Sequence, residues 1–133
     1  MVQSVLAVLI GFVVMAVLVM ITTALAVRLV LRVPFSAMRG GTTVALSPAY
    51  LVTNVAASGI AAVVGGYTAG VIAHHDPIAH GIALAAVMVV MSLVSMKQSG
   101  AVQPGWYRVV LVTVMPALAV GGAALCGALA APP

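Results

Sequence analysis

The chain has 133 residues, of which 65% are hydrophobic and only 5% are charged. Soluble domains carry roughly a quarter of charged residues, so this composition excludes a protein surface that faces water on all sides. The formal net charge of +4 comes from basic residues that flank apolar runs. Such flanking charges suit lipid headgroups and topology, so we expect the lipid bilayer as a partner and no nucleic acid.

Four apolar runs without charged residues are each near or above the roughly 20 residues that cross a hydrocarbon core as a helix. Backbone groups in lipid must be hydrogen-bonded internally, so these runs are predicted to be helices despite their many valines. The predicted fold class is all-α, a four-transmembrane-helix bundle that forms a single transmembrane domain over residues 1–133. The predicted helices cover residues 5–27, 49–73, 78–96 and 109–131.

The joints between the runs contain helix-start signals. Ser47-Pro48 and Asp76-Pro77 each place a capping residue before a first-turn proline, which predicts N-caps for the second and third helices. Residues 103–107, QPGWY, predict a turn followed by two aromatic side chains at headgroup level. The joint over residues 28–47 is predicted to be either a short interfacial segment or a plain loop.

Small residues recur every four positions along the second helix, in two neighbouring rows. Such rows let another helix backbone approach closely, and polar members add hydrogen bonds across the contact. We therefore predict that this helix lies at the bundle centre. Ionisable groups, which usually mark a solute pathway, are nearly absent from the spans, so packing is favoured over a pore. The candidate packing residues are Asn54, Ser58, Ala61, Ala62, Gly65, Gly66, Ala69 and Gly70.

Residues 65–81, GGYTAGVIAHHDPIAHG, gather three histidines and the only acidic residue of the chain. His74, His75 and His80 are of a type that binds zinc or another transition metal, with Asp76 beside them. Their spacing matches no metal signature, and Pro77 interrupts the segment. We favour a helical hairpin in which Asp76 caps the third helix, with the three histidines as the candidate ligands of the alternative metal site.

The same stretch resembles the glycine-glycine-tyrosine hairpin of small uncharacterised bacterial four-helix membrane proteins. SVLAVLIGFVV near the N-terminus and PGWY before the last run are also similar to them. The resemblance implies a bacterial inner (cytoplasmic) membrane bundle and supplies no activity. Those proteins usually carry basic residues in the hairpin turn, which implies one orientation. The positive-inside rule applied to this chain's own charges implies the reverse, with both termini outside.

An enzymatic role would need a nucleophile, an acid–base pair or a metal set, and the sequence provides none that we recognise. One acidic residue excludes paired carboxylates, and Cys126 has no basic neighbour in sequence to activate it. We therefore expect no catalytic residue and no cofactor. The favoured function is a structural or accessory subunit packed among other membrane subunits, for example in a respiratory or photosynthetic complex. The alternative is a small transporter or channel that works by self-association.

Overall fold

The computed structural model describes residues 2–29, 32, 47–73, 76–99 and 103–130. These residues form four helices and, within those ranges, no strand, which confirms the all-α prediction. The helices are α1 (Val2–Leu29), α2 (Pro48–Ala73), α3 (Pro77–Ser99) and α4 (Gly105–Ala130). Each is long and apolar enough to cross a membrane, the shortest candidate span having 21 residues. Most of the joint over residues 28–47, together with His74 and His75, lies outside the described residues.

The fourth helix begins four residues earlier than predicted, at Gly105 rather than at residue 109. The Arg108 amide already donates to the Pro104 carbonyl at 3.3 Å, so Trp106 and Tyr107 belong to the first helical turn. The prediction stopped at Arg108 because it required an uncharged run. A long arginine side chain near a helix end can extend toward the headgroups, so its charge does not end the helix.

Both helix-start prolines are the first residues of their helices, Pro48 in α2 and Pro77 in α3. Before α2, the Tyr50 amide donates to Ser47 Oγ at 3.2 Å and the Leu51 amide donates to the Ser47 carbonyl at 3.0 Å. The first bond satisfies an amide that has no partner inside the helix, and the second is the first regular bond of the helix. The predicted Ser47 N-cap is confirmed.

The second helix contacts all three of the others, α4 packs on both α2 and α3, and α1 packs mainly on α2. Within an apolar stretch of 18 residues in each span, 44% are buried in α2 and only 11% in α1. Most of α1 is thus left facing outward. The shared core consists of small and flexible side chains: Ala62, Ala69, Leu84, Met88, Met115 and Ala119.

The two ends of the bundle differ in charge. Pro77 at the start of α3 lies against Gly70 of α2 and Gly127 of α4, which places these three at one end. Arg28 lies in the last turn of α1 and Lys97 in the last turn of α3, and both belong to the opposite end. We call this opposite end, where α2 and α4 begin, the basic end.

Candidate functional site

The contact between α1 and α2 is built from two glycines that face each other. A Cβ atom on Gly65 would lie 2.9 Å from the Gly11 carbonyl oxygen and 2.9 Å from Met15 Cβ. Reciprocally, a Cβ on Gly11 would lie 2.9 Å from the Gly65 carbonyl oxygen. Helix backbones come this close only when side chains are absent, as in small-residue membrane contacts.

The adjacent residue, Gly66, faces α4 instead. A Cβ on Gly66 would lie 2.7 Å from the Ala119 carbonyl carbon and would also meet the oxygen of that group. From the other helix, a Cβ on Gly122 would lie 2.9 Å from the Val63 carbonyl carbon. Consecutive helical residues point about 100° apart, so the Gly65-Gly66 pair serves two neighbouring helices at once.

The two small-residue rows of α2 therefore belong to two contacts, although the sequence suggested one broad face. In the first row Ala61, Gly65 and Ala69 are buried, and Ala69 Cβ lies 2.9 Å from where a Gly11 Cβ would be. In the second row Ala62, Gly66 and Gly70 are buried, and Asn54 and Ser58 are half-buried. A Cβ on Gly70 would lie 3.1 Å from Cys126 Cβ, so this row continues along α4.

A chain of side-chain hydrogen bonds links three helices near the basic end. Thr23 Oγ1 in α1 donates to Asn54 Oδ1 in α2 at 2.9 Å. Asn54 Nδ2 donates to Tyr107 Oη in α4 at 2.6 Å. The sequence indicated Asn54 as a residue that bonds across helices, but it did not indicate Thr23 or Tyr107 as its partners. Tyr107 could have been found, because it continues the four-residue spacing of Ala119 toward the start of α4.

A cleft of about 360 Å³ lies beside Tyr107 and is lined by residues of all four helices. Its apolar lining includes five methionines: Met15, Met88, Met91, Met96 and Met115. Ser92 on α3 and the Tyr107 ring on α4 add polar groups nearer to the basic end. The sequence analysis did not predict this cleft. Methionine and serine recur within MSLVSM, residues 91–96, but only the tertiary packing shows that they face a space.

The structure of the hairpin differs from the predicted Asp76 cap. Asp76 has a φ of 46°, in the left-handed region, and is exposed. Its carbonyl accepts from the His80 amide at 3.3 Å and from His80 Nδ1 at 3.1 Å, so Nδ1 carries a hydrogen. Its carboxylate has no hydrogen bond to another described residue. An N-cap side chain reaches the helix amides from an extended backbone, which this φ does not supply.

The metal hypothesis stays a hypothesis, because two of its three candidate ligands, His74 and His75, lie outside the described residues. The third, His80, directs Nδ1 to its own helix start. Among the described residues, no group of three or more histidine, cysteine or acidic side chains could hold a metal ion.

Substitution of Asp76 tests whether this position matters for its left-handed backbone conformation or for a capping hydrogen bond from its side chain. We expect Asp76→Gly to stabilise the protein by about 0.5–1 kcal/mol, because glycine adopts positive φ without strain, and Asp76→Ala to destabilise it by a similar amount. A side-chain cap would instead make both substitutions unfavourable. The measurement is the free energy of unfolding in mixed micelles. Ser47→Gly is the matched control at a true cap, where a loss of a few tenths of a kcal/mol is expected.

In the described part of the chain, the fold and its contacts define a four-helix bundle of membrane-span length, held by glycine crossings and by an interhelical polar chain. No protein-family model, no curated protein and no solved structure matches the chain. The resemblance to small bacterial membrane proteins accordingly stays a prediction, and function has to be argued from the geometry.

Proposed function

We propose that this protein is a non-enzymatic integral membrane protein that serves as a structural or accessory subunit of a larger membrane assembly. The proposed location is the bacterial inner membrane, which rests on the resemblance of the hairpin and of PGWY to small bacterial proteins. The proposed partners are other membrane subunits, whereas self-association alone belongs to the transporter alternative.

The observation that carries this proposal is the set of hydrogen-bond partners of the polar side chains in the spans. Thr23, Asn54 and Tyr107 bond to one another and so join three helices. Four other threonine hydroxyls donate to the carbonyl four residues earlier in their own helix: Thr22, Thr53, Thr68 and Thr113. The first three groups thus join helices and the other four are satisfied within their own helices, and a packed subunit requires such contacts rather than chemistry.

The outward surface of α1 supports the same proposal. Large apolar side chains are exposed along it, including Leu9 at 54%, Val13 at 56% and Val17 at 45% of their full area. In a bilayer such a surface can accept either lipid or the helix of a neighbouring subunit without any polar group to satisfy. Because α1 is held mainly by α2, its outer side is free for such a neighbour.

A small oligomeric transporter or channel is the second candidate. The observation that favours it is the cleft beside Tyr107, whose lining mixes Ser58 and Ser92 with methionines. The cleft alone is not a path through the membrane. Transport would require a second copy to extend it.

The test is purification of the tagged protein from its native membranes in a mild detergent, followed by identification and quantification of what accompanies it. We expect one or more other membrane proteins at fixed stoichiometry. The control is an unrelated four-helix membrane protein with the same tag at equal abundance. A pure homo-oligomer would contradict the subunit proposal and support the transporter.

A further inference from the structure

The lining of the cleft beside Tyr107 is enriched in methionine. Five of the eight methionines of the chain line it. Leucine and valine are both more common in the sequence, yet each contributes a single described residue to the lining, Leu111 and Val19. Any of the three residue types could fill an apolar space between helices. Methionine differs from the other two because its thioether sulfur has lone pairs that can bind a metal ion.

Three of these methionines come from three different helices and meet in the bundle core. Met88 of α3 and Met115 of α4 belong to one buried cluster, with only 7% and 3% of their surface exposed, and Met15 of α1 packs against that cluster. By the helical rise, each lies roughly 15–21 Å from the basic end of its helix, near the middle of the span. The described helices themselves therefore bring three thioethers to one level of the cleft.

The charge of the lining restricts which ion this site can hold. No acidic side chain is among the described residues that line the cleft, and the only one in the chain, Asp76, lies at the hairpin. A divalent ion held by neutral groups would keep its double charge in an apolar core, which is strongly unfavourable. Thioethers are soft ligands that select Cu(I), an ion with a single charge. The lining thus favours a soft monovalent ion over zinc or a hard divalent ion.

We propose that Met15, Met88 and Met115 bind one Cu(I) ion in the cleft through their three sulfur atoms. The flexible methionine side chains let these atoms adjust their positions around the ion. The ion binds and leaves as Cu(I), and no electron is transferred to or from the protein. This site is separate from the histidine hypothesis at the hairpin. It goes beyond the proposed subunit role and does not depend on it.

The test measures binding of Ag(I) to the full chain in nanodiscs. Ag(I) is the probe because it shares the preference of Cu(I) for soft ligands and needs no reductant. The protein carries Cys126→Ala, because a thiol is also a soft ligand and Cys126 lies beside Gly70, toward the hairpin end. Equilibrium dialysis against silver nitrate in chloride-free buffer, followed by elemental analysis, gives the silver bound per chain. We expect saturation at one silver ion per chain, without displacement by excess Zn²⁺.

Conservative substitutions locate the ion. Leucine has nearly the volume of methionine and is usually tolerated in its place, but it has no sulfur. Met15→Leu, Met88→Leu and Met115→Leu are each expected to weaken silver binding by about tenfold or more. Met20→Leu is the matched control on the same helix as Met15. Because Met20 is 72% exposed and does not line the cleft, we expect unchanged silver binding.

Four outcomes would overturn the proposal. Unchanged affinity in Met88→Leu and Met115→Leu, with helicity intact by circular dichroism, would place the ion outside the cleft. Equal weakening in Met20→Leu would show adventitious binding to exposed thioethers. Displacement of silver by Zn²⁺ would indicate histidine ligands. X-ray absorption at the silver edge of the Cys126→Ala protein decides even if the leucine variants fail to fold, because a first shell of nitrogen or oxygen instead of sulfur would contradict a thioether site.

Discussion

Gly66→Leu is expected to prevent α4 from packing on α2 and to lower the free energy of unfolding by about 3 kcal/mol or more. Even one added carbon would lie 2.7 Å from the Ala119 carbonyl carbon, and a backbone group cannot rotate away as a side chain can. Overpacking commonly costs about 1–3 kcal/mol where side chains yield, and here the obstacle is the opposing helix itself. The measurement is denaturation of the purified protein in mixed micelles, monitored by circular dichroism and by Trp106 fluorescence.

Gly121→Leu is the matched control. It introduces the same side chain into α4, next to the contact residue Gly122, but a Cβ at Gly121 would meet no atom within 4 Å. We expect wild-type stability or a slight gain, because leucine favours a helix more than glycine does. Equal stability of Gly66→Leu and Gly121→Leu would show that α2 and α4 do not approach each other as closely as this structure indicates.

The helices of this fold could be predicted from the apolar runs because backbone groups inside a bilayer must be hydrogen-bonded internally. The two α2 boundaries, predicted at residues 49 and 73, agree with Pro48–Ala73 because Ser47-Pro48 fixes the start chemically. The start of α4 was missed because hydropathy cannot decide how a terminal arginine is placed. Asp76 stands at the cap position and its carbonyl accepts from the His80 amide, but its side chain makes no capping bond because the backbone angle at a tight hairpin depends on how both helices dock.

The contacts were less predictable than the helices. Four-residue spacing indicated which α2 residues are small enough for close approach, yet it could not assign Gly65 to α1 and Gly66 to α4. That assignment depends on the direction from which each neighbour approaches. The cleft has no sequence signal of its own, since methionine and serine at helical spacing are also ordinary packing residues. Only the relative placement of four helices leaves a space beside Tyr107.

Asn54→Ala is expected to destabilise the bundle by about 1–2 kcal/mol, because it removes both interhelical hydrogen bonds near the basic end. The two partners of Asn54, Thr23 and Tyr107, should not be affected equally by its loss. Thr23 can turn its hydroxyl to a carbonyl of its own helix, as Thr22 does toward Leu18 at 2.6 Å. The Tyr107 hydroxyl stands at the tip of a ring, too far from its own backbone for such a bond. After Asn54→Ala the unsatisfied hydroxyl is therefore that of Tyr107 rather than that of Thr23, and Thr23→Val, which removes one of the two bonds, is expected to cost less than Asn54→Ala.

A double-mutant cycle between Asn54→Ala and Tyr107→Phe measures this bond directly. We expect a coupling free energy of about 0.6–1.7 kcal/mol, between the average and the maximum found for hydrogen bonds between membrane helices. Thr113→Val is the control, because Thr113 is exposed and donates only to the Val109 carbonyl of its own helix at 2.7 Å. The free-energy changes of Thr113→Val and Asn54→Ala should add in the double variant. A coupling near zero between Asn54 and Tyr107 would mean that α2 and α4 are joined by their small-residue contacts, such as those of Gly66 and Gly122, without help from this bond.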